Sequence, residues 1–143
     1  MSRIFLDANI WMYAAGAESS QRGPCAALLD LVATREVEAV TDAEVLQEFL
    51  YRYARVGRRD GGVALVREVL ADLGQERILP VGAGTLARCA DLMESRLNLS
   101  PRDLIHVAAM QEAGITRLCS YDRGFDVVPG IQRVEPAALL EAG

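Results

Sequence analysis

Four acidic residues of this 143-residue chain stand where carboxylates can do chemistry: Asp7, Glu48, Asp103 and Asp122. Asp7 closes the apolar run Ile4-Phe5-Leu6, and Asp122 follows Leu118-Cys119-Ser120-Tyr121. Ligands of parallel α/β sheets bind beyond the carboxyl ends of the strands, so both acids sit at positions suited to a site. Glu48 and Asp103 lie in two segments of helical spacing expected to abut the same edge. A carboxylate beside apolar runs is costly to bury unless it is paired or binds a cation. Four of them converging without a lysine would repel one another. A hard divalent cation with oxygen ligands, Mg²⁺ or Mn²⁺, resolves that repulsion.

Each acid also has ordinary work open to it. Ser100-Pro101-Arg102-Asp103 spells a helix start, with Ser100 as N-cap, Pro101 first in the helix and Asp103 complementing the dipole. Asp122-Arg123-Gly124 suits a turn, and Asp7 a strand-end loop. Thr41-Asp42-Ala43-Glu44 has capping-box spacing, which gives Glu44 a structural role with Thr41 as N-cap. Glu48 lies one turn further in, beside the apolar stripe of Val45 and Phe49, and has no such local role. It is the better functional acid of the two.

The elements that must position these acids alternate. Short strands are predicted at 3–7, 38–41, 77–81 and 118–121, with a fifth at 131–134. Helical spacing covers 9–15, 23–35, 42–56, 63–73, 85–97 and 101–112, with a short helix after Pro136. Gly57 and the Gly61-Gly62 pair are expected to break the pattern. This order predicts an α/β fold, a mainly parallel sheet of four or five strands flanked by helices. The length predicts one domain over residues 1–143.

Composition narrows the chemistry. All 15 basic residues are arginine, against 20 acids, for a net charge of −5. Without lysine there is no P-loop, and receiver-type or haloacid-dehalogenase-type sites lose the lysine they need. The acidic balance argues against loose adhesion to nucleic acid over the whole surface. Four of those acids are the proposed site, however, so the rest of the chain is close to neutral. Cys25, Cys89 and Cys119 are odd in number, without a C-x-x-C pair, and accompany one histidine, His106. They read as buried thiols in a reducing cytoplasm, not as a zinc site. No signal peptide or membrane-spanning run is expected.

The segments FLDANIW, VLQEFLYRY, SPRDLIHVAAM and SYDRGFD, in this order, resemble the PIN-domain ribonucleases, and within them the VapC-type toxins of toxin–antitoxin pairs. The resemblance runs from residue 4 to about 134. It implies a PIN-like fold and a Mg²⁺- or Mn²⁺-dependent endoribonuclease that hydrolyses RNA to leave a 5′-phosphate and a 3′-hydroxyl. Asp7, Glu48, Asp103 and Asp122 match the family's acidic quartet, which serves as both metal ligands and catalytic groups. Asn9 and Ser120 match its supporting polar residues, and Asp126 a frequent extra acid. The resemblance further implies an RNA substrate, a VapB-like antitoxin that covers the site, and a homodimer. Arg52, Arg55 and Arg59 fall on the flank of Glu48 if its helix persists through Gly57, where they suit contact with RNA or antitoxin. His106, three residues after Asp103, reads as a packing or capping residue. Two other roles stay open on sequence alone: a housekeeping RNA-processing or DNA-directed nuclease, and a catalytically silent PIN module acting through protein contacts.

Overall fold

The computed structural model describes residues 2–142. Five parallel strands form one sheet: β1 (Ile4–Leu6), β2 (Ala39–Asp42), β3 (Ile78–Leu79), β4 (Arg117–Cys119) and β5 (Gln132–Val134). Their order across the sheet is β3-β2-β1-β4-β5. All of β1 and β2 is buried, as strands of a sheet covered on both faces are; β1 is apolar throughout, while β2 ends on the buried polar pair Thr41-Asp42. Seven helices are described: α1 (Ala8–Ala15), α2 (Arg22–Ala33), α3 (Ala43–Arg55), α4 (Arg59–Leu73), α5 (Ala83–Glu94), α6 (Pro101–Ala113) and α7 (Pro136–Ala142).

Strand order fixes where a ligand can go. From β1 the chain steps outward to β2 and β3, then returns across the sheet to β4 on the other side of β1. Right-handed crossovers therefore assign α1–α4 to one face and α5–α6 to the other. Packing agrees: α1 lies on α2, α3 on α4 and α7 on α2, while α5 and α6 pair with each other. The reversal opens a crevice beyond the carboxyl ends of β1 and β4, between two chain directions. Asp7 N–H donates to the Cys119 carbonyl at 3.0 Å, so the two strand ends are tied at that crevice.

Two local expectations need correction. Gly61 and Gly62 do not break the chain; they lie in the first turn of α4, which starts at Arg59. Their value is lateral: a Cβ on Gly62 would stand 3.0 Å from the Tyr53 Cβ and 3.1 Å from the Phe49 carbonyl oxygen. Bare backbone there lets α4 lie close against α3. The real break is Gly57, whose φ of +75° ends α3. Arg52 and Arg55 thus share α3, whereas Arg59 belongs to the next helix and lies off that flank. The Thr41–Glu44 capping box does not form either. Asp42 is the N-cap, accepting the Val45 N–H at 2.8 Å. Thr41, still within β2, donates its hydroxyl to the Leu6 carbonyl at 2.9 Å.

Candidate active site

A cavity of about 400 Å³ opens at the crevice, and Asp7, Asn9, Glu48, Asp103 and Asp122 all line it. Each acid arrives on a separate element. Asp7 is the N-cap of α1, directly after β1; its Oδ1 accepts the Ala8 N–H at 2.8 Å. Its Oδ2 accepts the Ser120 hydroxyl at 2.6 Å. Ser120 accepts in turn from the Asp122 N–H at 3.0 Å and the Asn9 amide at 3.1 Å. One hydroxyl therefore holds three pocket residues in register.

The ordinary roles of Asp103 and Asp122 are real and coexist with the pocket. Ser100 caps α6 by accepting the Asp103 N–H at 3.2 Å. Asp122 Oδ1 accepts the Gly124 N–H at 2.8 Å, opening a short 3₁₀ turn over Arg123–Val127. Strand β4 ends at Cys119, earlier than expected, so Asp122 reaches the pocket from a loop. Glu48 is 6% exposed and faces the cavity from α3. Glu44 does not line it; its carboxylate lies 3.4 Å from Arg102 Nε.

Electrostatics mark the site as short of positive charge. Burial pushes the Glu48 carboxyl above its ordinary range; Arg52 at 3.1 Å and Arg102 at 3.6 Å pull it back, and Asp7 pushes it up again. Burial and the charge of Asp7 likewise raise Asp103, with a further push from Asp122. Asn9 donates its amide nitrogen to Ser120, with the Asp7 carboxylate at 3.4 Å, which leaves Oδ1 buried without a hydrogen-bond partner. Such an orphan oxygen is costly unless something positive meets it. The donor set is all oxygen, as a hard cation requires. Among the described residues, no three or more Asp, Glu, His or Cys side chains are already drawn into a metal cage.

Other expected residues lie elsewhere. Asp126 does not line the pocket; Arg133 Nε holds its carboxylate at 2.8 Å. Cys25, Cys89 and Cys119 are buried free thiols, and burial pushes Cys119 up to about 12, so it stays protonated and unreactive. His106 is fully buried, as a packing residue would be, but it also meets Asp42 at 2.7 Å. Sequence reasoning missed two neighbours of the site. Asp42 closes β2 much as Asp7 follows β1, so the strand-end rule could have found it. Arg102, which lines the pocket next to Asp103, carried no separate signal.

The fold and site together define a class: a doubly wound α/β protein with an acidic, oxygen-lined pocket at its switch point, suited to a divalent cation. The sequence matches the PIN domain family over residues 4–131. Ribonuclease VapC13 of Mycobacterium tuberculosis is 36% identical over 131 residues, covering 92% of this chain and 98% of that protein. The fold is similar to Rickettsia felis VapBC2 bound to a promoter DNA fragment, with TM-score 0.70, 17% identity, and 93% and 98% of the two chains covered. It is also similar to Mycobacterium tuberculosis VapC20, a sarcin-ricin loop cleaving toxin, with TM-score 0.67, 21% identity, and coverage of 86% and 92%. The chain belongs to the PIN-domain family, among the VapC ribonucleases. No helix of the described residues is long and apolar enough to cross a membrane.

Proposed function

We propose that this chain is the toxin of a toxin–antitoxin pair, an endoribonuclease hydrolysing RNA phosphodiester bonds with Mg²⁺ or Mn²⁺. The observation that carries this reading is the meeting of Asp7, Glu48, Asp103 and Asp122 in one pocket, beside the unpartnered Asn9 oxygen. The VapC ribonuclease relative supports the activity, and the VapBC neighbour supports an antitoxin partner. A homodimer, a cytoplasmic location and one PIN domain spanning the whole chain complete the reading.

Asp7 and Asp103 would be the main metal ligands, with Asp122, Glu48 and the Asn9 oxygen assisting. When bound, the cation supplies an acidified water and neutralises charge on the scissile phosphate. The chain's own residues do the rest. Ser120 and the Ala8 N–H orient Asp7 before any ligand arrives. Arg52 and Arg102 hold Glu48 and line the same cavity, where their guanidinium groups suit phosphate oxygens. A neighbouring groove of about 400 Å³ shares Met12 and Arg52 with the acidic pocket and continues past Arg55 and Arg58. Neither of those two arginines forms an ion pair among the described residues. They are suited to the backbone phosphates that flank the cleaved one. Arg59 lines neither cavity, and Asp126 is held by Arg133.

The test uses purified protein free of antitoxin. It should cleave RNA with Mg²⁺ or Mn²⁺, stop in EDTA, and lose cleavage in a folded Asp7→Asn variant. Growth arrest on expression, relieved by co-expression of a short neighbouring reading frame, tests the toxin role.

A further inference from the structure

Beneath the acidic pocket lies a polar pair that the proposed chemistry does not use. Asp42 and His106 are both 0% exposed. Asp42 Oδ1 accepts the Val45 N–H and so starts α3, the helix that carries Glu48. Its Oδ2 lies 2.7 Å from His106 Nδ1. His106 rides on α6, one turn after Asp103. The far ring nitrogen, Nε2, is 4.0 Å from Asp7 Oδ1 and has no hydrogen-bond partner. The Phe5 ring, on β1, packs against the imidazole at 5.5 Å between centroids. One pair thus links the elements that carry Asp7, Glu48 and Asp103.

A buried Asp–His pair is a poor source of stability, because apolar residues of similar volume often serve as well or better. Its worth must lie in what it orients. We infer that Asp42 and His106 are positioning residues for the acidic site: they fix the Asp7 carboxylate and the spacing of α3 and α6, so that Glu48 and Asp103 face one cation. The inference rests on the metal-nuclease reading above. Outer partners of metal ligands act in this way, and their loss typically lowers metal affinity by about 10- to 100-fold.

The test is a double variant, Asp42→Ser with His106→Leu. Serine keeps the α3 cap and leucine fills the ring's space, so the protein folds while the carboxylate and the imidazole are both gone. His106→Gln is measured in parallel, since its amide can still donate to Asp42 while nothing faces Asp7. Manganese affinity by calorimetry should fall about 10- to 100-fold in both variants. Unfolding of the metal-free double variant should stay at or above the native midpoint. A crystal structure of the metal-free variant should show Asp7 turned from Ser120, or α6 displaced relative to α3. Affinity within about twofold of native, against the larger loss expected of an outer partner, overturns the inference, and so does a superposable site. If the native protein binds no manganese, the metal-nuclease reading fails, and the crystal structure alone decides the positioning role.

Discussion

Raising the pH through the mildly alkaline range should weaken the metal-free protein through His106, and near the top of that range the buried thiols Cys25, Cys89 and Cys119, whose protons burial also holds, add to the loss. Burial alone would depress its pKa. The hydrogen bond and charge of Asp42, with the charges of Asp7 and Asp103, outweigh burial and raise it from 6.5 to about 9. A histidine whose folded pKa exceeds its unfolded value binds its proton more tightly in the fold. Its stabilisation is complete below 6.5, declines above that, and is lost as the pH passes about 9. At about 1.36 kcal/mol per pH unit of difference, this pH-dependent part is at most about 3 kcal/mol, relative to the same fold with His106 neutral and not to an apolar replacement of the pair. Urea unfolding in EDTA, at several pH values across that window, measures it. EDTA matters because a cation beside Asp7 would compete with the imidazolium. Across the window the native protein should lose up to about 3 kcal/mol more than the Asp42→Ser, His106→Leu double variant, which keeps only the loss due to the buried thiols. A flat native profile across the window, or an equal loss in the double variant, would show that the fold does not hold a proton on His106.

Three further outcomes follow from the pocket. Ser120→Ala removes the hydroxyl shared by Asp7, Asp122 and Asn9; it should cost about 2 kcal/mol in urea unfolding and weaken manganese binding by calorimetry. Asp103→Asn should raise the unfolding midpoint of the metal-free protein near neutral pH. Burial and Asp7 hold that carboxyl above its ordinary range, so its ionisation works against the fold; the same variant should no longer cleave RNA. Replacing Arg55 and Arg58 by Gln should reduce the slope of log affinity against log salt for single-stranded RNA by about 0.7 per arginine, measured on the non-cleaving Asp7→Asn protein. An unchanged slope would exclude that groove as the path of the RNA backbone.

Most of the architecture could be read in advance because its signals are local. Buried strands such as Ile4-Phe5-Leu6 are short apolar runs, and α6 carries its Ser-Pro start and its Gly114 stop in the sequence. The acids could be read because strand ends and helix starts are themselves local features. What escaped depends on contacts distant in sequence. Gly61 and Gly62 look like breakers until α3 lies against them. Thr41 looks like a cap until the Leu6 carbonyl, 35 residues away, claims its hydroxyl. Asp126 looks like a supporting acid of the site until Arg133 takes its carboxylate. The Asp42–His106 contact spans 64 residues, and no spacing rule announces it. The net charge of −5 also changes meaning once the pocket is seen. It reflects a local cluster of acids rather than a surface hostile to RNA.

Whether Asp7, Glu48, Asp103 and Asp122 form one metal-dependent site for RNA hydrolysis shows in the ends of the cleaved RNA. Mapping the ends of RNA cleaved by the purified native protein and by Asp7→Asn tests it most directly. The expected result is 5′-phosphate ends that form only with Mg²⁺ or Mn²⁺ and vanish with the substitution while the variant stays folded. Cleavage that persists in EDTA, or in folded Asp7→Asn protein, would contradict it.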